Sequence, residues 1–240
     1  MICKTSGIVF KTIKYSDHSL IVKIYTRAFG LRSYMIRGMN NRKSAARKSA
    51  FQPLSILELV VYEKEKEGLQ SIREVESIYP YKSLPFDIRK SCIAMFMNEV
   101  MYRSIFSEEA DDALFHFLHQ SLISLDDAEN SSENFHLRFL ARLSRFLGFA
   151  PMNNFSPNNH FFDLQEGLFV SEQPMHNNFL DSSLSLKFTH LIADSEQMSG
   201  LMINALSRNE LLAKLIDYYR LHLPGFGEIK SHLVLKDVLA

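Results

Sequence analysis

The amino-acid sequence predicts an α+β protein in which an N-terminal five-stranded β-barrel of the OB type precedes an α-helical domain. Up to about residue 80 the apolar residues follow the short spacing of strands, and after it they follow helical spacing. The charge divides at the same place, because residues 1–80 hold fourteen Lys and Arg against seven Asp and Glu, whereas residues 81–240 hold thirteen against twenty. We therefore expect two domains, 1–80 and 81–240, of opposite charge.

Five short segments of the first domain have the composition of strands. They are separated by turn or charged residues and comprise residues 7–14, 19–27, 31–38, 54–63 and 69–77. Five strands with one longer connection between the third and the fourth suit a small Greek-key barrel of the OB type. An SH3-like barrel fits the same pattern.

A linker at residues 78–85 leads into segments with helical spacing. Core stripes predict helices over residues 88–106, 112–125 and 133–147, and several more between 182 and 239. The acidic pairs Asp111-Asp112 and Asp126-Asp127 flank the second of these helices. We expect the first pair to interact favourably with the helix dipole and both pairs to be solvated.

Local signals place two further features in the second domain. Residues 161–170 are expected to form a short hairpin around Glu166-Gly167. Ser207 and Glu210 have the spacing of a capping box for a helix that runs to His222.

The motifs of common enzyme classes are missing from the sequence. It lacks the phosphate-binding glycine loops, the G-x-S-x-G elbow and the H-E-x-x-H metal motif. Cys3 and Cys92 lie outside C-x-x-C spacing, and His116 with His119 lacks a third ligand at matching spacing. The sequence thus predicts a protein that is not an enzyme and that binds no metal or other cofactor. Without a signal-peptide or membrane-spanning segment, we expect it in the cytoplasm.

A long basic span in the first domain predicts a polyanionic partner, since no acidic residue occurs between Asp17 and Glu58. Tyrosines alternate with cations on the second and third strands, so they point to one face of each strand. We expect a turn at 28–30 to pair the two strands and to create one binding face. In that register Tyr25 lies opposite Tyr34, and Arg27 lies opposite Arg32. Tyrosine rings stack unpaired bases while cations hold phosphates. The expected DNA-binding residues are Lys23, Tyr25, Arg27, Arg32, Tyr34, Arg37, Arg42, Lys43, Arg47 and Lys48. In the alternative interpretation the tyrosines pack on their own barrel and the cations only solubilise it.

Several short motifs resemble the RecO family of bacterial recombination mediators. In the barrel a strand ends in Arg37-Gly38, a basic loop with Ser44 follows, and Phe51-Gln52-Pro53-Leu54 begins the next strand. The similarity continues in Leu69-x-x-Ile72-x-Glu74, Asn98-Glu99-Val100, Tyr218-Tyr219-x-x-His222 and Lys230-Ser231. Many members carry a four-cysteine zinc module after the Leu147-Gly148-Phe149 segment. This chain has an Asn-rich segment without cysteine there, so the resemblance implies no zinc.

The resemblance implies a non-enzymatic, nucleoid-associated DNA repair protein of the bacterial cytoplasm. Such a protein binds single- and double-stranded DNA, anneals complementary strands, partners RecR and engages the acidic C-terminal tail of single-stranded DNA-binding protein so that RecA can load. Arg138, Arg142 and Arg145 form a stripe on one predicted helix that suits this tail or an extension of the DNA path, although a solvated helix face is the alternative. Two other classes remain open: an OB-fold transcription or translation factor, and an adaptor that binds acidic protein tails.

Overall fold

A closed β-barrel forms the first part of the protein, in a computed structural model that describes residues 1–38, 48–63, 68–127, 133–193 and 203–239. Its strands are β1 (Ile2–Ser16), β2 (Ser19–Thr26), β3 (Gly30–Arg37), β4 (Ile56–Tyr62) and β5 (Gln70–Ser77). The strand order is β1-β2-β3-β5-β4, with β3 and β5 paired in parallel and the other neighbours antiparallel. The predicted fold class, a five-stranded barrel followed by a helical region, is confirmed.

The long strand β1 closes the barrel because it pairs with two neighbouring strands. Its first half pairs with β4 and its second half with β2, and Gly7 belongs to both ladders. A Cβ atom on Gly7 would lie 2.6 Å from Cγ2 of Ile24, so the close approach of the strands requires glycine there. Inward-facing side chains of all five strands, among them Val9, Ile24 and Ile72, fill the interior.

Helices and a small sheet make up the remainder of the described chain. The helices are α1 (Ile88–Ser104), α2 (Asp112–Asp127), α3 (Phe135–Phe146), α4 (Ser182–Ile192), α5 (Ala205–His222) and α6 (Ser231–Val238). The sheet has the order β7-β6-β8, with β6 (Phe161–Asp163), β7 (Leu168–Val170) and β8 (Phe179–Leu180). The predicted hairpin corresponds to β6 and β7, and Glu166-Gly167 lies in its turn. None of the helices described is long and apolar enough to cross a membrane.

The N-cap of α5 differs from the prediction. Asn204 is the cap, and its side chain accepts a hydrogen bond of 2.9 Å from the backbone N–H of Ser207. Ser207 and Glu210 lie inside the helix, so the predicted capping box is wrong. Asn caps helices as well as Ser does, and Asn204 comes three residues earlier.

The chain divides into two compact units. One comprises Met1–Asp87 with Asn98–Asp127, and the other comprises Ile88–Met97 with Ala128–Ala240. The barrel unit therefore includes α2 and the second half of α1, whereas the sequence placed its boundary at residue 80. Helical periodicity shows that a segment is a helix but does not show on which partner its apolar face packs.

Asp126 ties the linker to the barrel unit. This residue is 2% exposed and accepts hydrogen bonds from the backbone N–H groups of Lys82 (2.9 Å), Ser83 (2.9 Å) and Leu84 (2.7 Å) and from the Tyr79 hydroxyl (3.1 Å). Burial by itself raises the pKa of Asp126, but these donors outweigh it and hold the pKa at about 2. The expectation that Asp126 is solvated is therefore wrong.

Candidate nucleic-acid interface

Helix covers the outer surface of β2 at one end, and the other end is partly exposed among the described residues. Val22 and Ile24 point into the barrel, so Ile21, Lys23 and Tyr25 point outward. The Tyr25 ring stacks on Phe10, with centroids 5.7 Å apart, and on Phe115 of α2, with centroids 6.3 Å apart. α2 thus covers the end of the strand that carries Tyr25.

Neither predicted tyrosine is available to stack on a base. Tyr25 is 1% exposed under α2, and Tyr34 is 0% exposed inside the barrel. Tyr34 pairs with Val22 and Tyr25 with Leu31, so the predicted register is wrong by three residues. Because an odd shift moves a side chain to the opposite face of a strand, Tyr34 lies in the core. The alternative interpretation, that the tyrosines pack on their own barrel, describes Tyr34, whereas Tyr25 packs on both the barrel and α2.

Two predicted arginines of the barrel are held by carboxylates. The Arg27 guanidinium bonds to the Asp112 carboxylate through Nε and holds the pKa of Asp112 below its usual range. Arg32 donates from Nε to Glu63 at 3.0 Å and from Nη1 to Glu108 at 2.8 Å, and its side chain is 18% exposed. The register partner of Arg32 is a residue of the barrel core rather than Arg27, so the predicted pairing of the two arginines does not occur.

Two of these carboxylates, those of Glu108 and Asp112, belong to one acidic segment, residues 107–112, which follows α1 and lies against the barrel. The Ser107 carbonyl accepts a hydrogen bond of 2.9 Å from the backbone N–H of Leu31. Gly30 has a φ of +64°, and a Cβ atom on it would lie 2.7 Å from the same carbonyl oxygen. The segment therefore packs closely on the start of β3 and brings acidic charge to the basic barrel.

The other end of the outer surface is partly exposed in the described part of the chain, and it is basic. We call this surface the open face. Its cross-strand rows run Lys11–Lys23–Ser33 and Ile13–Ile21–Met35, with Arg37 at the end of β3. Ile13 is 38% exposed, and Arg37 is exposed. The open face therefore combines an apolar centre with cations at both ends.

Arg37 and Lys48 are exposed, and neither makes an ion pair with any described residue. Lys23 is half-buried and its Nζ lies 5.5 Å from the centroid of the Tyr102 ring. The predicted residues Arg42, Lys43 and Arg47 lie outside the described residues. Of the predicted set, Lys23, Arg37 and Lys48 are thus the described cations without a carboxylate partner among described residues.

The arginine stripe of the second unit lies on α3 as predicted by its spacing. Arg138 is exposed and Arg142 is half-buried. Arg145 is exposed as well, and its Nη2 donates a hydrogen bond of 2.6 Å to the carbonyl of Ile192. The opposite side of α3 packs into the unit, where burial lowers the pKa of His136 to about 3. The stripe therefore faces away from the core.

Comparison with known proteins decides the family. The family model described as "Recombination protein O N terminal" matches residues 1–81, and the model described as "Recombination protein O C terminal" matches residues 85–231. The chain belongs to the RecO family. It is similar over its whole length to proteins named DNA repair protein RecO, and the sequence-based resemblance is confirmed.

Three of these relatives show how far the similarity extends. The RecO protein of Phocaeicola vulgatus is 41% identical over 241 residues, covering 100% of both chains. Those of Bacteroides fragilis and Azobacteroides pseudotrichonymphae are each 36% identical and cover 99% of both chains.

Sequence reasoning did not single out Lys11, which lies on the open face, or Tyr102, whose ring centroid lies 4.7 Å from Lys11 Nζ. Lys11 precedes the acid-free span and has the strand parity of Val9, which points into the core, but a register shift between the two residues turns Lys11 outward. Tyr102 lies in a predicted helix that is distant from the barrel in sequence. The one feature that could have drawn attention to Tyr102 is weak: it comes two residues after Asn98-Glu99-Val100, one of the motifs of the family resemblance.

No metal centre is formed by the part of the chain that the structure describes. Those residues contain no group of three or more His, Cys, Asp or Glu side chains able to hold a metal ion.

Proposed function

We propose that this RecO-family chain is a non-enzymatic DNA-binding recombination mediator that acts in DNA repair. The observation that carries the proposal is the open face, where Lys11, Lys23 and Arg37 surround apolar side chains and have no carboxylate partner among described residues. The family match over both halves of the chain supports it. The strand 2–3 surface is also where OB-fold barrels bind oligonucleotides.

The mechanism follows from the charges. Cations at both ends of the open face neutralise phosphates of a single strand, and the apolar row between them contacts sugar or base surfaces. A neutralised strand repels its complement less, so two strands held in this way anneal faster than free strands do. Binding through phosphates makes the activity independent of base sequence.

The helical unit supplies partner contacts in this proposal. Arg138 and Arg142 on α3 offer guanidinium groups to the acidic tail of single-stranded DNA-binding protein, because guanidinium pairs with carboxylates in a bidentate manner. Arg145 contributes less, since its Nη2 already bonds to the Ile192 carbonyl. RecR joins the complex, and displacement of the binding protein lets RecA load on the released strand.

A salt titration tests the proposal. If the protein neutralises about four to six phosphates, the logarithm of the affinity for single-stranded DNA falls against the logarithm of the salt concentration with a slope of roughly −3 to −4. Fluorescence anisotropy with oligonucleotides of mixed sequence measures the slope. Annealing of labelled complementary strands in the same buffers separates a mediator from a transcription or translation factor, which would not accelerate annealing. Affinity that did not change with salt would contradict the proposal.

The acidic segment gives a second prediction. The ion pair between Arg27 and Asp112 is exposed, so it is weak and is readily exchanged for a phosphate. Replacing Glu108 by Gln and Asp112 by Asn together should therefore tighten DNA binding by about three- to tenfold and steepen the salt slope by about 0.7.

Glu58→Gln with Glu76→Gln is the matched control. These two carboxylates are register partners on β4 and β5, and the exchange removes the same charge from the same unit. Equal tightening in the control would mean that net charge, rather than the position of the acidic segment, sets the affinity.

A further inference from the structure

We propose that Lys11, Lys23 and Tyr102 form a nucleotide-binding site, in which the two ammonium groups hold one phosphate of a single strand and the tyrosine ring stacks its base. The inference rests on the proposed function and goes further by naming a site. It also replaces the stacking role that the sequence assigned to Tyr25 and Tyr34, which are buried.

The two lysines are like charges that share one aromatic ring. Lys11 and Lys23 are register partners on β1 and β2, and their Nζ atoms lie over the Tyr102 ring, 4.7 Å and 5.5 Å from its centroid. Like charges directly opposite each other destabilise a sheet. Neither lysine has a carboxylate partner among described residues, and the Tyr102 ring contacts both ammonium groups. An anion between them would remove that repulsion, so the pair favours a phosphate.

Tyr102 is held in place from the side of α1 that faces the barrel. One turn earlier, Nδ2 of Asn98 donates a hydrogen bond of 3.1 Å to the backbone carbonyl of Phe10, which precedes Lys11. Val100 and Met101 are 0% exposed, which fixes this part of the helix. Tyr102 itself stays partly exposed. Because the ring is positioned before any ligand binds, stacking a base on it costs little side-chain entropy. The base replaces the cation–π contacts of the two lysines, whose ammonium groups turn from the ring to the phosphate.

The chemistry favours a nucleotide over an acidic protein tail. A carboxylate would satisfy the lysines but would gain nothing from the ring. A nucleotide uses both groups, because its phosphate takes the ammonium groups while its base stacks on the ring. The two lysines of the site belong to the row Lys11–Lys23–Ser33 of the open face, so a strand bound to this face would pass over the site.

The chain contains no tryptophan, which allows a direct test. Tyr102→Trp introduces a sole tryptophan at the site, and Tyr62→Trp introduces one at a position that is 41% exposed on β4 as the matched control. Each full-length variant is titrated with oligothymidine, and binding is measured in parallel by anisotropy of a labelled oligonucleotide. In Tyr102→Trp we expect fluorescence quenching that follows the binding curve, and in Tyr62→Trp we expect little quenching. An abasic oligonucleotide that still binds should leave the fluorescence of Tyr102→Trp unquenched.

Substitutions test the roles of the tyrosine ring and of the two lysines separately. Tyr102→Leu should weaken binding about 5- to 100-fold without changing the salt slope, and Tyr102→Phe should restore most of the loss. Lys11→Gln and Lys23→Gln should each flatten the salt slope by about 0.7. Circular dichroism confirms that each variant is folded.

The outcomes distinguish this inference from the proposed function. If the Tyr102→Trp variant binds a strand by anisotropy while its tryptophan fluorescence stays constant, the nucleotide site is overturned and the DNA-binding function stands. Failure of the unsubstituted chain to bind DNA would overturn both.

Discussion

Replacing Asp126 by Ala is expected to lower the free energy of unfolding by about 3 to 5 kcal/mol. The substitution removes the acceptor for three consecutive backbone N–H groups, at Lys82, Ser83 and Leu84, and for the Tyr79 hydroxyl. A buried donor left without a partner, as at Leu84, costs about 1 to 3 kcal/mol, and water recovers part of the loss at the other three donors, which are partly buried. Denaturant unfolding followed by circular dichroism measures the loss.

Asp127→Ala provides the matched control. Asp127 is the next residue, but its carboxylate is 51% exposed and pairs with Lys82 Nζ at 3.2 Å. An exposed pair of this kind contributes about 0 to 1 kcal/mol. If both substitutions had the same small effect, Asp126 would not be an anchor of the linker.

The same residue should make stability depend on acid. Its pKa is about 2 in the folded protein and 3.8 in the unfolded chain, so the folded state prefers the ionised form. This contribution, about 2 kcal/mol, is fully present above the unfolded pKa and is lost as the pH falls through the folded pKa. The fall in stability between pH 4 and pH 2 should therefore be smaller in Asp126→Asn than in the unsubstituted protein. An identical pH profile would contradict the ionised anchor.

Reversing two cations of the barrel unit should produce the largest functional effect. Arg37 and Lys48 are exposed and make no ion pair with any described residue, so each is available to a phosphate. Arg37→Glu with Lys48→Glu should weaken single-stranded DNA binding about 10- to 100-fold at moderate salt. It should also flatten the salt slope by about 1.4, since two phosphate contacts are lost. The loss should be alike for all DNA sequences, because phosphates carry no sequence information.

The matched control for this prediction is Lys4→Glu with Arg73→Glu, which reverses the same number of charges on the same unit. These cations already pair with Glu58 at 3.0 Å and Glu74 at 3.2 Å, and Lys4 lies on the part of β1 that pairs with β4. We expect a weaker effect and an almost unchanged slope. Intact affinity and slope in Arg37→Glu with Lys48→Glu, with folding confirmed by circular dichroism, would remove these two cations from the interface.

The sequence by itself determined the kinds of elements and the charge of the barrel. Strand and helix periods are local properties, so 7–14 and 88–106 could be assigned to a strand and a helix from residues close in the chain. The observed elements are β1 (Ile2–Ser16) and α1 (Ile88–Ser104), so the types were correct and the ends were not. The acid-free span likewise needs only the order of the residues, and it correctly indicated that the barrel is basic.

Only the tertiary structure decided which of these residues face solvent together. A strand register depends on turn geometry, and an odd shift was enough to move Tyr34 from a predicted binding face into the core. Arg27 meets Asp112 across 85 residues, and Tyr102 reaches Lys11 from a helix that packs on the barrel. Such contacts join segments that no local period connects, because they arise from packing between elements rather than from the spacing within one.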